Sequence, residues 1–324
     1  MPGERADAYR VWLSEIMLQQ TTVATVTPYY TAFLKRWPTV RELSDASLDD
    51  VFHGWQGLGY YRRARNLHAC ARTLVDAHDG VFPVLEKDLL ALPGIGPYTA
   101  AAIAAIVSGE KTTPIDGNVI RVVSRLFAVE EALPKAKKAI DAHARTLTPD
   151  GRCGDFAQAS MELGALVCTP RKPSCGNCPV ASYCRAAQMG TPENYPKKAP
   201  KTQKPVRYGS VFWIEDEDGA VLMEKRPETG LLAGLMGFPG TPWREGVWTV
   251  AEVEDFDWVR ASHSAQQMPG SVIHVFTHFK LDLIVWRLTT MRPKGDNRLW
   301  VLPADFDRYA LPTVMKKVAR HVLG

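Results

Sequence analysis

The chain has 324 residues, which is enough for two or three ordinary domains. Its composition of 46% hydrophobic and 23% charged residues is that of an ordinary soluble protein. No apolar run reaches the length of a membrane span, and the start, MPGERADAYR, lacks the apolar core of a secretory signal, so no membrane span is indicated and a cytoplasmic protein is expected.

The net charge of +4 is unevenly distributed along the chain. Residues 186–207 are rich in lysine and proline and poor in large aliphatic side chains, which predicts a basic linker that buries no core. The basic excess lies in this linker and in the part before it, which points weakly to nucleic acid as the partner.

The two parts on either side of the linker differ in their hydrophobic pattern. Residues 1–185 show long helical periodicities separated by Gly/Pro turns, which predicts an all-α domain. Residues 208–324 contain the short β-like runs SVFWIE, AVLMEKR, WTVAEV and SVIHVFTHFKLDLIVWRL, which predict an α+β domain.

A glycine-containing turn opens a helix at residues 92–106, LPGIGPYTAAAIAAI. We expect Gly94 and Gly96 to turn with positive φ, and Pro97 suits the first helical position. Free N–H groups at such a helix start favour a phosphate. A dinucleotide site is a poor alternative, because no strand precedes the turn and Thr99 stands where the third fingerprint glycine belongs.

Four of the six cysteines lie in CTPRKPSCGNCPVASYC, with the spacing C-x6-C-x2-C-x5-C. Four thiolates this close can enclose one metal centre, and the spacing alone leaves zinc and iron–sulfur open. Disulfides are not expected in a reducing cytoplasm. The candidate ligands are Cys168, Cys175, Cys178 and Cys184, while Cys70 and Cys153 are predicted to have no such role.

Two carboxylates are candidates for acid and charge-stabilising work. Glu15 follows Trp12 and Leu13 in VWLSEIMLQQT, where apolar surroundings would raise its pKa, although an exposed residue on an amphipathic helix is the commoner case. Asp116 opens a helix in PIDGNVIRVVSR and, taken alone, is more simply a helix cap.

These elements together resemble the endonuclease III superfamily of helix–hairpin–helix DNA glycosylases. SEIMLQQT, GLGYYRRARNL, LPGIGPYTA and PIDGNVIRV occur in this order before the cysteine loop, a pattern similar to the adenine DNA glycosylase (MutY) family within it. The resemblance extends over the chain and implies a helix–hairpin–helix domain, whose turn at Gly94 and Gly96 holds a DNA phosphate. It also implies a structural [4Fe-4S] cluster in the loop 168–184, which helps to place Arg171, Lys172 and Arg185 on DNA.

The same resemblance implies a base-excision-repair enzyme that hydrolyses the N-glycosidic bond of adenine opposite 8-oxoguanine or guanine. Glu15 would protonate adenine N7, and Asp116, held by Asn118, would stabilise or trap the sugar cation. Bifunctional relatives carry a lysine nucleophile at the position of Tyr98, and a phenol is unsuited to that chemistry. Tyr98 would instead support the site, so we expect a monofunctional enzyme.

Further residues match DNA contacts of the family. Leu18 and Gln20 resemble residues that fill the gap left by a flipped base, and Tyr60 resembles an intercalating tyrosine, although an aromatic residue there could equally belong to the core. Gln158 matches a residue that contacts the flipped adenine. The expected partner is double-stranded DNA, bound by a monomer that associates with the nucleoid.

The C-terminal run GLLAGLMGFPG resembles the Nudix-like domain of the same family. Residues after Gly240 contain no R-E-x-x-E-E arrangement for magnesium, so we expect a reader of DNA and not a nucleotide pyrophosphatase. Phe276, Thr277 and His278 match the loop that recognises 8-oxoguanine, and a plain strand is the simpler interpretation of this stretch.

One departure from the family pattern lies at the start of the chain. MPG at residues 1–3 occupies the place of an LPWR-like element that helps to enclose the adenine. This suggests either an upstream start or an incomplete pocket. The nearest alternative function is that of a bifunctional glycosylase/lyase. The missing element at the start adds a second alternative, an inactive iron–sulfur DNA-binding module.

Overall fold

The computed structural model describes residues 6–200, 203–292, 295 and 298–324. The departure at residues 1–3 lies outside these ranges. None of the helices in the described part of the chain combines the length and the apolar character that a membrane span requires.

Helices occupy most of the first 190 residues. In chain order, the α-helices of the described residues are α1 (Ala8–Leu18), α2 (Val23–Arg36), α3 (Val40–Asp45), α4 (Leu48–Gly54), α5 (Arg62–His78), α6 (Glu86–Leu89), α7 (Pro97–Ile103), α8 (Gly117–Leu126), α9 (Lys137–Leu147), α10 (Cys153–Glu162), α11 (Arg185–Gln188), α12 (Val250–Glu254), α13 (Asp257–Arg260) and α14 (Thr313–Leu323). Helices α7 and α10 continue as π-helical turns, Ala104–Ser108 and Leu163–Val167.

The sequence encodes several helix starts directly. The Asp7 side chain accepts hydrogen bonds from the backbone N–H groups of Tyr9 and Arg10 and so caps α1. Thr39 and Glu42 form a capping box at the start of α3. The predicted all-α architecture of the first part is confirmed.

The chain divides into two compact units. One comprises the described residues of Met1–Ala46 and Arg65–Lys201, and the other those of Ser47–Ala64 and Thr202–Gly324. Residues 47–64 thus pack with the C-terminal part: Gln56 Nε2 donates to the Tyr309 carbonyl over 3.2 Å, and Lys225 forms an ion pair of 3.1 Å with Asp49. Sequence periodicity had placed this segment with the surrounding helices, because a local pattern carries no information about such distant partners.

A mixed sheet organises the C-terminal unit. Its strands are β1 (Val206–Glu215), β2 (Val221–Lys225), β3 (Met236–Gly237), β4 (Ser264–Gln267), β5 (Val272–Val275), β6 (Lys280–Thr289) and β7 (Leu299–Val301). The order is β3-β2-β1-β6-β4, with β5 also paired to β6 and β7 to β2. Strands β1 and β6 run parallel from Val206↔Lys280 to Glu215↔Thr289, and the other pairs are antiparallel.

Both faces of this sheet are covered, which explains the near-continuous hydrophobic run in β1. Val211 and Trp213 point to a core that includes Val314 of α14. Phe212 and Ile214 point to the opposite core, which includes Val253 of α12. Alternation of side chains along the strand distributes the two sets. The α+β prediction is confirmed.

The predicted strand WTVAEV is wrong, because residues 250–254 form α12. Thr249 caps this helix, and the Glu252 carboxylate accepts a hydrogen bond from the Thr249 backbone N–H, which completes a capping box. That local signal outweighs the strand preference of the two valines.

The segment predicted as a linker, 186–207, includes residues 201–202 outside the described ranges and ends inside β1. Its first part is packed, contrary to expectation. Tyr195 is 4% exposed, and its carbonyl accepts a hydrogen bond from Arg125 Nε. The buried Tyr195 and a backbone bond from the Leu133 N–H to the Lys197 carbonyl therefore anchor a stretch whose average composition is that of a loop.

Candidate active site

Glu15 is a buried carboxyl group on α1. Its side chain is 7% exposed, and it lies on a helix whose other buried residues include Trp12 and Ile16. Burial raises the pKa of Glu15, a hydrogen bond from Tyr98 lowers it in part, and the nearby negative charge of Asp116 raises it further. The environment therefore favours a protonated carboxyl at higher pH than an ordinary glutamate.

Tyr98 binds directly to Glu15. It lies at the second position of α7, and its hydroxyl donates to Glu15 Oε2 over 2.5 Å while also lying 3.2 Å from Met161 Sδ. Burial and the Glu15 charge raise the pKa of the Tyr98 phenol. The group therefore stays a neutral hydrogen-bond donor and offers no amine or phenolate nucleophile.

Asp116 caps α8 and is half-buried. Its Oδ1 accepts from the Val119 backbone N–H over 2.7 Å, and its Oδ2 accepts from Asn118 Nδ2 over 2.8 Å. The capping interpretation from sequence is thus correct as geometry. The capping Asp116 carboxylate also lies near Glu15 and Tyr98, since its charge raises the pKa of both groups.

Arg121 is a residue that sequence reasoning missed. Its Nη2 donates to Asn118 Oδ1 over 2.8 Å and its Nε to the Cys168 carbonyl over 2.6 Å. The guanidinium therefore joins the amide beside Asp116 to the first cysteine of the loop. Its position one turn after Asn118 on α8 is the only local signal that could have suggested this.

The glycine turn before α7 matches its prediction at one position only. Gly94 has φ +74°, and a Cβ atom there would lie 2.5 Å from the Asn66 Cβ, so no other residue fits. The expectation of positive φ at Gly96 is wrong: it has φ −96° and ψ 176° and is the N-cap of α7. No side chain caps α7, and nothing lies within 4 Å of a Cβ built at Gly96. The space beside Gly96 at the start of α7 is therefore open.

Three other predicted contact residues lie in the N-terminal unit. Leu18 ends α1, and Gln20 follows it with an exposed side chain and φ +59°. Gln158 is exposed on α10, one turn before Met161, and its amide donates to the Gly154 carbonyl of its own helix. None of these three side chains is buried in the hydrophobic core.

The remaining predicted contacts belong to the C-terminal unit. Tyr60 is 52% exposed, with φ +49°. Strands β5 and β6 form a hairpin in which Phe276 N–H donates to the Phe279 carbonyl over 2.9 Å, so Thr277 and His278 occupy an exposed two-residue turn. The plain-strand interpretation of this stretch is therefore wrong at the turn, and Phe276 is half-buried.

The four clustered cysteines line one cavity in the N-terminal unit. Short 3₁₀ turns, Cys175–Asn177 and Ala181–Tyr183, fold the loop around it. All four thiols are free of disulfide bonds. The rest of the lining is mostly apolar and includes Val167, Pro173, Ala181, Ala187 and Pro192.

Arg125 is a second arginine that sequence reasoning missed. Its side chain is 1% exposed and lines the cysteine cavity. Nη1 donates to the Thr169 carbonyl over 2.8 Å and lies 3.2 Å from Cys168 Sγ. The guanidinium therefore fixes the start of the loop and places a positive charge beside a thiolate ligand position.

Comparison with known proteins agrees with this geometry. Residues 13–150 match the HhH-GPD superfamily of base excision DNA repair proteins, residues 168–184 the iron–sulfur binding domain of endonuclease III, and residues 210–321 the NUDIX domain. The human adenine DNA glycosylase is 37% identical, over 98% of this chain and 68% of the human protein.

The chain belongs to the adenine DNA glycosylase family. Another member, from Buchnera aphidicola subsp. Acyrthosiphon pisum, is 32% identical over 96% of this chain and 89% of its own. A solved thermostable thymine-DNA glycosylase is 31% identical, with a TM-score of 0.53 over 58% of this chain and 87% of that one.

In this adenine DNA glycosylase family member, the cysteine cavity fits a [4Fe-4S] cluster. No three His, Cys, Asp or Glu side chains in the described ranges are arranged to hold a single metal ion, yet the four cysteines surround one space. A cluster whose irons each take one thiolate fits that spread better than one tetrahedral zinc. Cys168, Cys175, Cys178 and Cys184 would hold it, as a structural element.

We expect purified protein to contain about four irons per chain and to be yellow-brown. Cys178→Ser should lose most of the iron, because it removes one ligand. Cys153→Ala is the matched control: this buried cysteine lies outside the cavity and bonds to the Pro149 carbonyl. Iron analysis and visible absorbance of anaerobically prepared protein measure both. Stoichiometric zinc without iron would refute the assignment.

Proposed function

We propose that this chain hydrolyses the N-glycosidic bond of adenine opposite 8-oxoguanine or guanine in double-stranded DNA and leaves the strand uncut. The observation that carries the proposal is the contact between the buried Glu15 carboxyl and the Tyr98 hydroxyl, with Asp116 close to both. An acid kept protonated by burial and an ionised partner are the two groups that glycosidic cleavage needs.

The proposed reaction divides the work between these carboxyl groups. Glu15 donates a proton to adenine N7, the C1′–N9 bond breaks with its electron pair leaving on N9, and water adds its oxygen to C1′ while its released proton returns to the Glu15 carboxylate. Asp116 stabilises the positive charge that develops on the sugar. Asn118 holds the Asp116 carboxylate through the 2.8 Å hydrogen bond. The absence of an amine at Tyr98 supports simple hydrolysis over a lyase reaction.

Adenine must leave the helical stack before this chemistry can occur. We assign Leu18 and Gln20 to the gap that the flipped base leaves in the duplex, and their position at the end of α1 supports this. We assign Gln158 to the contact with the flipped adenine, and its place on the exposed face of α10 supports this. Tyr60, with its exposed ring, would stack beside the opposite base.

DNA backbone contacts form a separate part of the proposal. The uncapped start of α7 after Gly94 and Gly96 would hold a phosphate through its N–H groups. Exposed basic residues of the cysteine loop region, Arg171, Lys172 and Arg185, would add to it.

The C-terminal unit would read the base opposite adenine. 8-Oxoguanine differs from guanine by its C8 oxygen and its N7–H, so discrimination requires hydrogen-bonding groups at those atoms. Thr277 and His278 can supply them from the exposed hairpin turn. Glu252, one of the two acidic residues of α12, is bound to Arg244 in an ion pair of 2.7 Å, which supports a reading role over magnesium chemistry. We further propose a monomer that works in the cytoplasm on nucleoid DNA.

The test is a single-turnover assay with enzyme in excess over duplexes that carry adenine opposite 8-oxoguanine or opposite guanine. We expect base release to be faster on the first duplex and strand breaks to appear only after alkali treatment. Strand cleavage without alkali would exclude a monofunctional enzyme. Equal rates on both duplexes would exclude the reading role.

A further inference from the structure

The hairpin turn at Thr277 and His278 rests on a small aromatic cluster. The Phe276 ring lies 4.9 Å from the Phe279 ring and 5.8 Å from the Trp243 ring, at interplanar angles of 35° and 31°. His274 packs its edge against Phe276 at 4.6 Å. The two phenylalanines bracket the turn in the chain, so their packing fixes where the two exposed residues between them project.

Backbone hydrogen bonds fix the position of the loop that carries Trp243. The loop that carries it pairs with β1: the Tyr208 N–H donates to the Arg244 carbonyl over 2.7 Å, and the Thr241 N–H donates to the Ser210 carbonyl over 2.9 Å. Bonds on either side of Trp243 thus fix its Cα beside the strand.

A glycine in β1 makes room for the indole ring. A Cβ atom at Gly209 would lie 2.7 Å from Trp243 Cδ1, closer than real Cβ contacts come, and 3.1 Å from Leu283 Cδ2, which is a tight contact. The ring therefore lies against bare strand backbone. The Arg226 guanidinium lies 5.0 Å from the centroid of the same ring. Contacts with the strand, with its own loop and with the Arg226 guanidinium thus fix Trp243 independently of its contact with Phe276.

We infer that Trp243 is a positioning residue for base discrimination, which aligns the Thr277–His278 turn through its contact with Phe276. The inference rests on the proposed function, because it concerns how the turn reads the base opposite adenine. The sequence suggested that Phe276 contacts 8-oxoguanine directly, and the inference gives it a different role. Phe276 packs on Trp243 and so sets the position of the turn, while the exposed residues Thr277 and His278 face outward.

The test compares Trp243→Leu with Trp248→Leu in the full chain. Trp248 is a matched control: it lies on the same loop, is also half-buried and has an arginine, Arg244, 3.8 Å from its ring centroid, but it packs on Phe256 away from the turn. The readout is the ratio of single-turnover rates on adenine opposite 8-oxoguanine and opposite guanine. We expect Trp243→Leu to lower this ratio roughly tenfold, the scale of one hydrogen bond, and Trp248→Leu to leave it unchanged.

A double-mutant cycle separates positioning from a general structural role. If Trp243 acts through the turn, Trp243→Leu should not lower the ratio further in a Thr277→Ala/His278→Ala background. Additive effects, or an unchanged ratio in Trp243→Leu, would overturn the inference. If the leucine variant does not fold by circular dichroism, Trp243→Phe replaces it under the same criteria. A wild-type enzyme without any preference would instead overturn the proposed function.

Discussion

Asp116→Asn should lower the rate of adenine release by roughly 10²–10³-fold while duplex binding persists. The substitution deletes the negative charge that would stabilise the sugar cation. It retains an oxygen that can accept from the Val119 N–H, and asparagine is as good a helix cap as aspartate, so α8 should stay intact. Single-turnover rates and a gel-shift titration on the same duplex measure the two effects separately.

Asp7→Asn is the matched control for this prediction. Asp7 is also an N-cap aspartate, at the start of α1, and its carboxylate is bound to the Tyr9 and Arg10 backbone N–H groups. We expect this variant to keep the wild-type rate. A near-wild-type rate in Asp116→Asn would remove Asp116 from the reaction and leave it as a cap alone.

Glu15→Gln should lower the rate by roughly 10²–10⁴-fold, the range of a lost general acid, because an amide cannot transfer a proton to adenine N7. Glutamine has the same shape and can still accept from the Tyr98 hydroxyl, so the fold should tolerate it. Glu162→Gln changes an exposed residue of α10 and is the matched control, which should keep the wild-type rate. Single-turnover base release measures all three proteins, and a Glu15→Gln variant as fast as wild type would end the assignment.

The pH dependence gives an independent check on Glu15. Because burial raises its pKa, the wild-type rate should persist above the range of an ordinary glutamate and fall as Glu15 loses its proton. The hydrogen bond from Tyr98 lowers that pKa, so Tyr98→Phe should move the descending limb of the rate profile to higher pH. A shift to lower pH, or none, would contradict the proposed acid.

Several properties of this protein follow from local sequence. The order of the helical segments and the turn at Gly94 depend on residues close in the chain, so periodicity and spacing were sufficient to predict them. The same applies to Asp116 as a helix cap, since its partner Val119 is three residues away. The positive φ expected at Gly96 is not found. The strand predicted at residues 248–253 is wrong although its cause is also local. The Thr249–Glu252 capping box favours a helix there more strongly than the valines favour a strand.

Tertiary structure alone decided how the groups meet. Glu15 and Tyr98 are 83 residues apart in the chain and yet share a hydrogen bond, and Arg125 reaches Cys168 across 43 residues. Trp243 and Gly209 belong to different segments that touch only because a loop pairs with β1. Burial, pKa and contact depend on what the rest of the chain packs around a residue. A local pattern can therefore name Glu15 as a candidate acid, but only the folded chain removes it from water and gives it a partner.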